Sequence, residues 1–111
     1  MEPKFNLWIE KDGEVVLSAW RVRLLQAIHA SGSITAAAEQ LQIPYRRAWE
    51  KLHEIEVGLG VKVVDPDVGG VGGGGAHLTP AGHTAIAQFL KFAEGFEAEV
   101  QRRYRQAFQV K

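Results

Sequence analysis

Tyr45, Arg46, Arg47 and Lys51 are the residues whose types and spacing most plainly suit a chemical task, and the task is holding a polyanion. Between Pro44 and His53 there are three basic side chains and one acid, Glu50, so the segment carries a local +2. Over the whole chain 13 Lys and Arg balance 13 Asp and Glu. A neutral total exerts no long-range pull on nucleic acid, so any contact must come from such a local face. A guanidinium can bond guanine O6 and N7 through two donors, whereas a lysine ammonium meets a phosphate as a point charge. Arg46 and Arg47 are therefore candidates for reading bases, and Lys51 for holding backbone. Phosphate contact by the arginines, or a plain solvated helix face, fits the same residues. Ser33 and Thr35, at the start of an earlier helix, can aim hydroxyls and N–H groups at phosphate; helix capping by Ser33 is the simpler explanation and is compatible with that contact.

Other chemistry finds little support. Residues 69–75 hold six glycines, and Gly70, Gly72 and Gly75 formally match a dinucleotide fingerprint. That fingerprint needs a strand before it and a helix opening at its end within a βαβ unit, and no such unit is present here. Gly72, Gly73 and Gly74 fit better as the tip of a wing hairpin, where glycine lets backbone approach a groove. His29, His53, His77 and His83 show no i, i+4 pairing, and there is no cysteine, so neither a metal site nor a cofactor is expected. No nucleophile–base constellation stands out, and no enzyme is expected. The last eleven residues carry Arg102, Arg103, Arg105 and Lys111 without an acid; they suit either phosphate contact or the negative end of a helix.

The elements that must position these groups follow from patterning. At 111 residues, 46% of them apolar, one domain over 1–111 is expected, mainly α with a small β component. Residues 1–17 read as a β-hairpin closed by Asp12-Gly13, with Phe5, Leu7 and Ile9 on one side. Residues 18–60 hold three helices: one capped by Ser18 and stopped by Ser31-Gly32, a short one capped by Ser33, and one opening at Pro44 with the inward stripe Ala48, Leu52, Ile55 and Leu59, fading at Gly58 and Gly60. Residues 61–78 form the wing. Thr79-Pro80 begins a helix to about Phe108, roughly 45 Å long, with Ile86, Phe89, Ala93, Phe96 and Val100 as a seam that a second copy would cover. Trp20 and Trp49 are assigned to the core, and Trp8 to an exposed hairpin face. No stretch is long enough to span a bilayer and MEPKFNLWIE lacks a signal-peptide pattern, so a cytoplasmic protein without membrane contact is expected.

The order helix, helix, tight turn, helix, glycine-tipped hairpin is that of a winged helix-turn-helix. The run SGSITAAAEQLQIPYRRAWEKLHEIE followed by GGVGGGGAHLTPAG resembles the N-terminal DNA-binding domain of the ModE family, molybdate-responsive transcriptional regulators of bacteria and archaea. The resemblance runs from about Leu17 to Phe92, through GSI-x-x-AA at Gly32–Ala38, Y-x-x-AW at Tyr45–Trp49 and the glycine-rich stretch at Gly69–Gly82. A LysR-type helix-turn-helix shares the AA-x-x-L pattern more distantly. The resemblance implies a homodimer on a palindromic operator in double-stranded DNA, with the helix from Pro44 in the major groove and the wing beside the backbone. No oxyanion-binding domain follows before Lys111, so direct molybdate binding is not expected. Gln42 stands where such turns often carry glycine, and would cost about 1 kcal/mol if the turn demands positive φ. A protein-interaction module on the same scaffold, or a DNA-binding half working with a separate oxyanion sensor, are the alternatives.

Overall fold

The computed structural model describes residues 1–67 and 75–108. Strands β1 (Trp8–Lys11) and β2 (Glu14–Ser18) pair antiparallel around Asp12 and Gly13, at φ +54° and +82°. Both turn residues are left-handed, the conformation that Asp-Gly tolerates and that matches strand twist. The hairpin therefore spans 8–18 rather than 1–17; Phe5 lies outside it and is exposed. The register slips between Ile9 and Glu10, which leaves Val16 without a partner in the ladder. This bulge lets adjacent Val16 and Leu17 both enter the core, which strict alternation forbids.

Helix α1 (Ala19–Ser31) starts where the Ser18 hydroxyl accepts the Arg21 N–H, and ends at Gly32 with φ +71°. Its Val22, Leu24, Leu25 and Ile28 are the centre of the core. Helix α2 (Ile34–Gln40) is capped by Ser33, and α3 (Tyr45–Leu59) ends at left-handed Gly60. Gly58 does not end α3. It lies within the helix, and a Cβ there would sit 2.7–3.1 Å from the Val16 side chain, so glycine is required where α3 crosses β2. Ala48, Leu52 and Ile55 face inward as their spacing predicts.

Strands β3 (Val64–Pro66) and β4 (Ala76–Leu78) pair antiparallel as the base of the wing, with Val64 opposite Leu78 and Pro66 opposite Ala76. The helical C-terminal arm is present as two helices, α4 (Pro80–Ala93) and α5 (Phe96–Phe108). They are separated at Glu94, with ψ 127°, and Gly95, with φ +83°. Residues of α5 are not buried, and the molecule extends 59 × 29 × 21 Å. Its radius of gyration, 16.7 Å, exceeds the ~13 Å of a compact chain this long, because the arm projects from the body. Along it the Tyr104 hydroxyl donates to the Met1 carbonyl, fastening the N-terminal segment to α5. No helix among the described residues is long and apolar enough to cross a membrane.

Candidate nucleic-acid interface

Residues 41–44 connect α2 to α3 and set the direction in which α3 leaves the body. Leu41 N–H donates to Ala37 O and Ile43 N–H to Ala38 O, while Gln42 adopts φ +58°. The turn thus imposes the left-handed conformation on a residue with a Cβ. Pro44 sits at the N-cap, one position before the helix, and its carbonyl accepts the N–H groups of Arg47 and Ala48. With Ala48, Leu52 and Ile55 committed to the core, the first turn of α3 points Tyr45, Arg46 and Arg47 into solvent. The Arg46 side chain is 91% exposed and meets Glu50 only at 3.8 Å, a loose i, i+4 pair of small energetic weight. Arg47 makes no ion pair among the described residues.

Lys51 is placed differently from the two arginines. Its ammonium lies 3.3 Å from Glu54, and Glu54 also accepts from Arg21 at 3.1 Å. Arg21, which sequence patterning did not single out, is the buried charged residue of the core: its Nη1 donates to Val15 O at 2.7 Å and Val16 O at 3.3 Å. One guanidinium thereby joins α1, the hairpin and the middle of α3. No spacing rule predicts this, because an arginine on an amphipathic helix ordinarily faces water.

Trp49 is not a core residue. It is 41% exposed, and Tyr45, one turn earlier, is 49% exposed; their rings meet edge to face, 6.2 Å apart at 83°. Trp49 falls one residue after the buried Ala48, which carries its side chain off the inward stripe onto the flank of α3. Trp20 does pack against the core, and Trp8 is exposed as expected.

The wing is tied to the start of α2. Ser33 and Gly75 form a β-bridge, and Ala76 N–H donates to Gly32 O at 2.9 Å. Across the wing base Asp67 N–H donates to Gly75 O, and the Asp67 carboxylate holds His77 Nδ1 at 2.5 Å. A Cβ at Gly75 would come within 2.6 Å of that carboxylate. Ser33 caps α2 by accepting the Ala36 N–H, and Thr35 is exposed beside it. Gly72, Gly73 and Gly74 lie outside the described residues.

The seam expected on the arm divides. Phe89 is 3% exposed within the chain's own core, and Ile86 and Ala93 pack against that core. Phe89 is therefore not available to a second copy, because α1 and the wing base already cover this side of α4. Phe96 and Val100 lie beyond the break at Gly95, and the exposed apolar residues of α4 are Leu90 and Phe92. In the basic C-terminal cluster, Arg102 and Arg103 both bond Glu99. Those bonds, Arg102's the larger influence, hold the Glu99 carboxyl down at about 2.

Among the described residues no group of three His, Asp or Glu side chains could hold a metal ion. An open groove of about 440 Å³ between the hairpin tip and α3, lined by Lys11, Asp12, Glu14, His53 and Glu54, has no arrangement of nucleophile and base.

The chain is 44% identical over 73 residues to the molybdenum-pterin-binding protein MopB of Rhodobacter capsulatus, covering 66% of this chain and 27% of that one. It is 38% identical over 86 residues to the transcriptional regulator ModE of Yersinia pestis, covering 78% and 33%. The chain spans about a third of the length of these curated relatives. Among solved structures, the DNA-binding domain of CbnR in complex with DNA superposes with a TM-score of 0.61 at 23% identity, over 79% of this chain and 94% of that one. That of BenM with benA site 1 DNA gives 0.59 at 22% identity, over 78% and 94%. These two likenesses establish the fold. The model for the lysR family of bacterial regulatory helix-turn-helix proteins matches residues 20–83, from α1 through the wing to the first turn of α4, and the chain belongs to that family.

Proposed function

We propose that this chain is the DNA-binding module of a ModE-like transcriptional regulator acting in the cytoplasm on a palindromic operator. Helix α3 enters the major groove and presents Arg46 and Arg47 to base edges, with Tyr45 and Pro44 beside them. Lys51, held by Glu54, serves the backbone at most, while Ser33, Thr35 and the wing tip at Gly72, Gly73 and Gly74 face phosphates. The observation that carries this is the exposed first turn of α3: Arg46, in only a loose 3.8 Å pair with Glu50, and Arg47, in no ion pair among the described residues, on a helix whose opposite face is locked into the core. A protein-interaction module would be favoured had both arginines been neutralised by Glu50 and Glu54; instead Glu54 is taken up by Arg21 and Lys51. Two copies pair through Leu90, Phe92, Phe96 and Val100 with the exposed hairpin face, so that two α3 helices reach half-sites one helical turn apart, about 34 Å. The resemblance to ModE and MopB favours regulation tied to molybdate, with the oxyanion sensed outside these 111 residues.

Fluorescence anisotropy with duplexes selected from a random library tests this. Salt-sensitive binding is expected in the presence of competitor DNA, and Arg46→Ala or Arg47→Ala should each cost about 1–3 kcal/mol. Affinity unchanged in both variants would remove the arginines from the interface, and absence of salt-sensitive binding would refute the function.

A further inference from the structure

Tyr45 and Trp49 expose two large aromatic rings on the element that the proposed function sends into the major groove. In water this is unfavourable, since apolar surface of that size gains from being covered. The two residues stand at i and i+4, one above the other on one flank of α3, and their rings meet edge to face at 6.2 Å. The contact restricts the Trp49 ring before any ligand arrives, which lowers the side-chain entropy lost on binding. The surroundings say what the ligand is. Arg46 lies on the adjoining face at i+1 from Tyr45 and i−3 from Trp49, with its side chain 91% exposed, and Arg47 follows. An apolar protein surface would have to desolvate those cations, whereas a DNA groove walled by phosphates accepts them.

Within a major groove, the apolar group that base pairs present is the C5 methyl of thymine, which lies next to the acceptor O4. An indole matches it with an apolar ring and a single N–H donor. We infer that the Tyr45–Trp49 pair is a thymine-methyl reader, so that each operator half-site carries a thymine at the position facing Trp49. Trp49 is then a specificity-determining residue beside the arginines. This rests on the DNA-binding function proposed above, and it goes further by assigning one base type to one side chain.

The experiment replaces each thymine of a selected duplex in turn by deoxyuridine, which removes the methyl and leaves every hydrogen-bonding group. Binding is measured by anisotropy with the full chain. One thymine per half-site should weaken binding about fourfold when replaced, the equivalent of the ~0.8 kcal/mol of one buried carbon group; the other thymines should have no effect. In Trp49→Ala the same substitution should lose its effect, while the arginine-dependent salt sensitivity persists. Should that variant fail to fold, Trp49→Phe keeps an apolar ring and should retain the methyl preference, and the scan on the natural chain needs no variant. A flat deoxyuridine scan on a duplex that binds tightly overturns the inference and leaves the DNA-binding function standing. Undiminished methyl preference in a folded Trp49→Ala overturns the assignment to Trp49. No salt-sensitive binding to any duplex overturns both.

Discussion

Arg21→Met tests whether a single buried guanidinium holds the hairpin against α3. The side chain is 8% exposed, and it donates to Val15 O at 2.7 Å, Val16 O at 3.3 Å and Glu54 at 3.1 Å. Methionine keeps most of the stem's packing and removes all three bonds. Hydrogen bonds to a charged group contribute about 1.5–3 kcal/mol each, and breaking a buried ion pair costs about 3–5 kcal/mol. Glu54 is not left stranded, because its side chain is 44% exposed and Lys51 stays 3.3 Å away. The main loss is therefore at the two carbonyls, and the variant should be destabilised by about 2–4 kcal/mol, a fall of roughly 10–25 °C in melting temperature. Glu54→Gln keeps the guanidinium on both carbonyls and should cost only about 1 kcal/mol. Urea titrations followed by circular dichroism measure both. A loss under 1 kcal/mol for Arg21→Met, or a larger loss for Glu54→Gln, would refute the idea that the carbonyl bonds, not the ion pair, fasten hairpin to helix.

Gln42→Gly should stabilise the fold by about 0.5–1 kcal/mol, since glycine occupies φ +58° without steric conflict; a destabilised variant in urea melts would mean that the Gln42 side chain contributes more than the strain costs. Gly58→Ala gains about 1 kcal/mol of helix propensity but drives a Cβ to within 2.7–3.1 Å of Val16, where overpacking costs about 1–3 kcal/mol. The expected net loss should turn into a gain of about 1 kcal/mol in a Val16→Ala background, and additive effects in that double-mutant cycle would exclude the contact. The Glu99 carboxyl, held down at about 2 by Arg102 and Arg103 against an ordinary 4.5, stabilises α5 fully above pH 4.5, and this is lost as the pH falls through about 2. Carboxyl-resolved NMR titration of Glu99 at an ordinary value, or an unchanged titration in Arg102→Ala, would show that the pair does not form.

The legible parts of the fold were those fixed by local chemistry. Ser18 and Ser33 cap helices, Asp12-Gly13 closes the hairpin and Gly32 ends α1, each because the residue suits a backbone conformation that few others tolerate. The inward stripe of α3 was legible from its apolar spacing of three to four residues, which the helical period sets locally. What sequence could not supply depends on contacts between distant elements. Gly58 has the look of a helix terminator, yet glycine stands there because β2 passes close by. Phe89 has the spacing of a dimer seam, but it fills the chain's own core. Arg21 belongs to a charged class that ordinarily stays outside, and it is buried where the Val15 and Val16 carbonyls and Glu54 accept from its guanidinium. Gly95 is the intermediate case: glycine is a weak helix residue wherever it stands, and here its φ of +83° marks, with Glu94, the division of the arm.

Trp49 shows why residue type alone misplaces a side chain. Apolar residues tend to be inside, but the tendency runs one way, and the informative cases are exposed aromatics and buried charges. Here there is one of each: Trp49 outside on α3, and Arg21 of α1 inside, bonded to Glu54 of α3. Exchanging them would give a more conventional core and a blunter surface. The neutral total charge adds a further constraint. Affinity for DNA that comes from neutralising Z phosphates falls with salt at a slope near −0.9Z, and that part of binding carries no sequence information. A module whose α3 carries three basic residues against Glu50, Glu54 and Glu56, and whose Lys51, Arg102 and Arg103 are committed to internal carboxylates, has few cations to spend on phosphate. Its hold on arbitrary DNA should accordingly be weak, so useful occupancy of an operator has to come from base edges and from pairing two half-sites. On the proposed function, that is the circumstance in which an aromatic pair beside two arginines, adding contacts that only the right sequence returns, would change the ratio of specific to non-specific binding more than additional lysines would.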